Sequence, residues 1–458
     1  MTSAPFLVGV TVRTLGAWPY AWRAEGAHRD PREDPAVLRE LAVRADRAGA
    51  DFLYFGDWLA TSIEFERTDP YLLARLEPLA AAAHLSAVTE RIGFVVTVNA
   101  GYVDAYSLAR ATASLDLLSG GRLGLAVTTS TDAATARNYG GRSLGTDFDR
   151  ATATAELVEA LHALWDSWDE DAFIADVASA RLVDPGRVHA AGFTGQHHGA
   201  GGALNAVRPP QGHLPLFLSA SGLRARDVAA RYADAVFTNA VSLDEAARVG
   251  VETRRAAESY GRPAPAIVLP VLPVVGDSEE DAWERYDALV ALVPLADAAS
   301  ADEGELPAER TVRGLARLVD VPLAGVLLDE PVPARLAQRF APLGHALVRT
   351  TTERSGRTIG GARPITWRQL LVANLVRSRV LVGSAARVAE ELERWHGDGA
   401  LHGVSVLPAT LDHGIRFLEE VLPLLEARGL RPATHDTLRG RLGLGAAPSI
   451  HARPLALR

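Results

Sequence analysis

Between Ala87 and Gly140 the chain alternates twice between a short apolar run and a longer stretch with apolar residues at helical spacing. Arg91–Val98 (RIGFVVTV) is β-branched and apolar on both parities, the pattern of a strand covered on both faces. After a polar loop, Asn99–Ala105, the run Tyr106–Leu118 places Leu108, Ala111, Leu115 and Leu118 on one helical stripe, and Gly120-Gly121 stops it. A second strand, Arg122–Thr128, runs into the hydroxyl cluster Thr128–Thr131. Strands buried on both faces, each returning through a helix, predict parallel α/β structure. Ligands of such folds sit in the loops after the strand C-termini.

The same alternation extends along most of the chain. Strands are expected at Phe6–Val12, Asp51–Gly56, Leu214–Ser219, Ala235–Thr238, Ile267–Val275 (interrupted by Pro270 and Pro273) and His402–Leu407. Helices are expected at Asp34–Ala48, Tyr71–Val88, Arg150–Trp168, Leu223–Tyr232, Leu243–Tyr260, Glu279–Val293, Ala385–His396 and Gly414–Arg428. Eight strands in β-then-α order predict a (β/α)8 barrel, a TIM barrel with insertions, over an open doubly wound sheet. The expected plan is one barrel over residues 1–430. Irregular excursions interrupt it at about 169–211 and 296–363, and a C-terminal tail covers 431–458. No glycine fingerprint follows the first strand, which argues against a dinucleotide fold.

Composition narrows the chemistry. There is no cysteine, and all 47 basic residues are arginine, so disulfides, thiolate catalysis, Schiff bases and a P-loop lysine are excluded. A net charge of −9, spread along the chain, disfavours nucleic acid as a partner. No apolar run approaches the ~20 residues of a membrane span, and the N-terminus lacks signal-peptide features, so no membrane partner and a cytoplasmic location are expected. The histidines His189, His197, His198 and His213 match no zinc spacing, so no metal is expected. No G-x-S-x-G elbow follows a strand.

Several segments resemble the flavin-dependent monooxygenases of the bacterial luciferase-like superfamily. They are Asp51–Asp57 (DFLYFGD), Leu76–Gly93 (LEPLAAAAHLSAVTERIG), Ser114–Gly121 (SLDLLSGG), Ala136–Gly140 (ARNYG), Leu164–Trp168 (LWDSW), Pro209–Gly212 (PPQG), Val382–Trp395 (VGSAARVAEELERW) and Phe417–Leu430 (FLEEVLPLLEARGL). More narrowly, the chain is similar to the branch of nitrilotriacetate, dibenzothiophene-sulfone and pristinamycin-pathway monooxygenases. The resemblance implies a luciferase-like barrel that takes reduced FMN as a diffusible co-substrate from a separate NAD(P)H:flavin reductase. With O2 it would oxygenate a small-molecule substrate, as a homodimer or higher homo-oligomer.

Carried over position by position, the resemblance puts Asp57 beside the flavin. It puts Asn99 and Gly101 in the loop that usually carries hydroxyls, and Thr129 (with Ser130) in the fourth-strand motif, where Ala126 replaces the usual asparagine. A histidine–tyrosine pair of the family becomes Asp147 and Ala151. The phosphate serine falls on Gly222, with Ser221 adjacent; Arg224 and Arg226 stand in the following helical turn. Apart from Asp57 and Asp147, no residue stands out as an acid or base, so the catalytic residues stay unassigned. Thr131 or Ser130 would alternatively N-cap a helix, Asn99 would make an Asx turn, and Trp18, Trp22 and Arg23 either roof a pocket or pack their loop. Two functions stay open: a monooxygenase with a rebuilt flavin site, or a non-catalytic barrel acting as partner subunit or ligand binder.

Overall fold

The computed structural model describes residues 5–63, 65–238, 240, 243–296, 310–376, 378–399, 401–431 and 435–451. Parts of the second excursion (297–309) and of the tail (432–434 and 452–458) lie outside the described residues.

Eight parallel strands close into a ring: β1 (Leu7–Thr11), β2 (Phe52–Phe55), β3 (Gly93–Asn99), β4 (Leu123–Thr128), β5 (Leu216–Ser219), β6 (Ala235–Phe237), β7 (Ala266–Gly276) and β9 (Gly403–Val406). Closure is made by β9 against β1, with Gly9 beside Ser405. These are the eight expected strands, within a residue or two. A ninth, β8 (Arg379–Ser384), stands outside the ring and pairs with the C-terminal half of β7 from Val271 to Gly276. The proline-bearing run is therefore one continuous strand. Pro270 lies beyond the last β6 pair at Val268, and Pro273 beyond the last β9 pair at Val271, so neither sits where both neighbours need its missing N–H.

Inside the ring, Phe52 meets Phe217 edge-on, Phe217 stacks on Phe237, and Phe237 lies tilted against Tyr54 with centroids 4.6 Å apart. Thr11 and Ser405 share a hydrogen bond of 2.7 Å across the β1–β9 seam. At the N-terminal end, Leu438 of the tail plugs the barrel. Its Cδ atoms stand 2.8 Å from where a Cβ would lie on Gly93 and Gly124, so those two glycines make the room it fills.

Some expectations need correction. The expected helix Tyr71–Val88 is only Pro78–Ser86, preceded by a 3-10 turn at Pro70–Leu72; Pro78 starts it because its missing N–H costs nothing in a first turn. The helix expected from Arg150 begins earlier, at Asp147, with Thr146 and Asp149 forming a capping box. The excursion at 169–211 carries two short antiparallel ladders, Phe173–Asp176 with Arg181–Val183 and Phe193–Thr194 with Gly199–Ala200. The helix Trp367–Leu375 and strand β8 were not anticipated at all. Among the described residues, no helix is long and apolar enough to cross a membrane.

Candidate active site

A cavity of about 470 Å³ opens at the C-terminal ends of β4 and β5. Its lining joins four of the residues singled out from the sequence: Thr129, Asp147, Ser221 and Gly222. Gly222 is the N-cap of the Leu223–Tyr232 helix and holds φ 92°, ψ 161°, a conformation essentially reserved for glycine. No side chain caps that helix, so its first N–H groups face the cavity unclaimed by a cap. Ser219 and Ser221 share a hydrogen bond of 3.0 Å at the same edge.

Two guanidiniums enter the lining. Arg150 pairs with Asp147 one turn back on its helix. Arg224 lies over the Phe148 ring, 5.5 Å from its centroid. Arg226 does not reach the cavity: it pairs with Glu252 at 2.6 Å, because two residues along a helix point to nearly opposite sides. Arg150 was missed from the sequence. It stands one residue before Ala151, and its relevance depends on Asp147 opening the helix.

The other singled-out residues stand on the same rim but do not line this cavity. Asp57 accepts from Arg75 Nε at 3.1 Å and from the Trp58 N–H at 2.8 Å. Asn99 pairs in register with Thr128, and its Oδ1 accepts the Gly101 N–H at 3.1 Å, which is the Asx turn. Gly101 is covered by Leu144, whose Cδ1 lies 3.1 Å from the position of a Cβ. In the hydroxyl cluster, the helix Ala133–Asn138 is capped by Asp132, not by Ser130 or Thr131; Ser130 instead donates to the Asp132 carboxylate. Burial works to raise the Asp132 carboxyl, but the hydrogen bonds from Ser130 and Thr135 outweigh it and hold it below the ordinary range. Trp18 is packing: it is 2% exposed and donates from Nε1 to the Leu289 carbonyl at 2.7 Å. Arg23 donates to the Leu292 carbonyl of the same segment.

Three of the four histidines are held by structural contacts, while His197 Nε2 is buried without a hydrogen-bond partner. His213 meets Asp166 at 2.8 Å, His189 meets Asp169 at 3.1 Å, and His198 Nε2 meets the Ala100 carbonyl at 2.9 Å. Among the described residues no cluster of His, Asp or Glu is placed to hold a metal ion.

The model of the luciferase-like monooxygenase family matches residues 18–402. The chain belongs to that family. It is 31% identical over 470 residues to dibenzothiophene-sulfone monooxygenase of Rhodococcus erythropolis, covering 98% of this chain and 97% of the relative. It is 29% identical over 463 residues to nitrilotriacetate monooxygenase component A of Aminobacter aminovorans, covering 98% of each. Among solved structures it is similar to a riboflavin lyase with modified FMN and substrate riboflavin, at 25% identity and a TM-score of 0.73 over 96% of each chain. The fold and the branch expected from the motifs are thereby established.

Proposed function

We propose that the chain is the oxygenase component of a two-component flavin monooxygenase. It takes reduced FMN from a separate NAD(P)H:flavin reductase and uses O2 to oxygenate a small organic molecule. The observation that carries this reading is the donor set of the cavity. An uncapped helix N-terminus, the Ser221 and Thr129 hydroxyls and the Arg150 and Arg224 guanidiniums converge on one concave space. That set fits a phosphate monoester. The one carboxylate among the lining residues, Asp147, is already paired with Arg150, which offsets the charge a phosphate would meet. Arg224 has no ion pair among the described residues, so its charge is free for an anion.

Ala151 and Gly222 offer a phosphate no polar side chain, and in this reading backbone N–H groups and arginine hold it instead. Asp57, Asn99 and Gly101, on the β2–β3 side of the rim, are assigned to the ring end of the cofactor. Bound reduced FMN would supply the two electrons that take one atom of O2 to water while the other enters the product. The protein's part is to hold the phosphate at the β5 edge, orient the ring over the aromatic floor of Tyr54 and Phe237, and keep water away. The Arg224 guanidinium, without an ion pair among the described residues and beside an uncapped helix start, favours this reading over a barrel that does not bind flavin.

Quenching of flavin fluorescence tests it directly. FMN is expected to bind at least about tenfold more tightly than riboflavin, because a charge-assisted phosphate contact is worth about 1.5–3 kcal/mol. Arg150→Ala should bring FMN down towards the riboflavin value. Equal binding of the two flavins would remove the phosphate assignment. Absence of substrate-independent O2 uptake with bound reduced FMN would favour the binder instead.

A further inference from the structure

Two arginines stand on the rim near the ends of β1 and β2, and they are engaged very differently. Arg75 is saturated. Its Nε donates to Asp57, its Nη1 to the Tyr71 carbonyl at 3.4 Å and its Nη2 to the Trp58 carbonyl, and the side chain is 7% exposed. It is a clasp on the segment after β2. Arg13, two residues past β1, is held only loosely. Its Nη1 donates to the carbonyl of its own neighbour Val12 at 3.2 Å. The carboxylate it faces, Asp69, stands at 3.9 Å, beyond hydrogen-bond reach. The guanidinium lies over the Tyr71 ring, 4.6 Å from its centroid, which fixes its place while leaving N–H groups unused.

Gly56, just past β2, leaves the space in front of it. Its φ is not positive, so the backbone does not demand glycine there. A Cβ at Gly56 would lie 3.7 Å from Arg13 Nη1 and 3.8 Å from the Tyr54 hydroxyl, ordinary contact distances, so the glycine leaves a gap about one carbon wide between a guanidinium and a phenol. The Tyr54 oxygen accepts from Thr97 Oγ1 at 3.3 Å, which leaves its own proton to donate. Two donors, one of them charged, thus face one gap on the same end of the barrel as the 470 Å³ cavity.

We propose that Arg13 and the Tyr54 hydroxyl recognise a carboxylate on the substrate, so that small organic acids are the preferred substrate class. The assignment of this gap to the substrate rests on the monooxygenase reading; the carboxylate binding does not. Asp69 keeps the guanidinium in place when the gap is empty. A carboxylate that meets it with two parallel N–H···O bonds displaces that weak contact.

The test is a titration of intrinsic tryptophan fluorescence, with Trp58 close by as a reporter, using succinate, N-acetylglycine and benzoate, each beside its primary amide. At least one acid is expected to bind with a Kd below about 10 mM and its amide at least about tenfold more weakly. Arg13→Gln should abolish the difference, Arg13→Lys should keep part of it, and Gly56→Val should block the acid while leaving the Arg13 charge in the chain. FMN binding by Arg13→Gln at the wild-type level shows that fold and cofactor site are intact. The proposal is overturned if acid and amide bind alike, if discrimination survives in Arg13→Gln, or if no acid binds at about 10 mM. Failure of the wild-type chain to bind FMN would instead sink the monooxygenase reading, with the acid–amide comparison still deciding the carboxylate site.

Discussion

Arg150 and Arg226 show how little a single residue says until its direction is known. Both are arginines near a helix start; one lines the cavity and the other is tied to Glu252. Asp147 and Ala151 drew notice in the sequence through the family resemblance, and the Arg150 guanidinium between them has no signature of its own. His413 carries a similar lesson for pH. Burial holds its imidazole down at about 4 against the attraction of Asp412, helped by the Arg285 and Arg416 guanidiniums. Its Nδ1 meets the Thr410 hydroxyl at 2.8 Å, and its Nε2 is buried without a partner. Its folded pKa is depressed, so the stability it contributes is complete above its unfolded pKa and is lost as pH falls from there towards about 4. His413→Gln, which cannot take up that proton, should gain about 2 kcal/mol relative to the wild type between about pH 7.5 and about pH 5. Urea midpoints at the two pH values check this, and a constant difference would refute it.

At the scale of elements, the start of the Leu223–Tyr232 helix is where local structure and function meet. Gly222 adopts a backbone conformation that any Cβ would strain, although a Cβ there would meet no atom within 4 Å. Gly222→Ala should therefore cost about 1–3 kcal/mol of stability, or shift the helix start, through the backbone alone. FMN affinity should fall along with it, measured by the same quenching titration; unchanged stability and affinity would show that the N–H groups do not depend on this turn. Elements are legible in the sequence where runs are long and strongly patterned, as for β3 and the Ala105–Leu118 helix. Strand β8 is not, because its apolar run follows the Leu-rich helix Trp367–Leu375 so closely that periodicity does not separate them. Nor is the exposed ladder Phe173–Asp176, which has no buried face to impose an alternation.

On the whole-molecule scale, the barrel is closed below by Leu438 of the tail and carries the 470 Å³ cavity at the opposite, C-terminal ends of its strands. Leu438 is 1% exposed between Gly93 and Gly124, so Leu438→Ala should cost about 2–5 kcal/mol in urea unfolding. FMN affinity should stay unchanged, because the plug and the cavity lie at opposite ends of the strands. A loss of FMN binding in a folded Leu438→Ala protein would contradict that separation. From the sequence came the eight strands and the barrel, because apolar periodicity and strand ends are written locally, while the positions at Thr129, Asp147, Ser221 and Gly222 came from the family resemblance of its motifs. Only the tertiary structure decided which of those positions share a cavity, that Asp57 is clasped by Arg75, and that Arg13 faces the space beside Gly56. Those relations join residues on different strands, and their distances follow from how the ring closes, which no local pattern encodes.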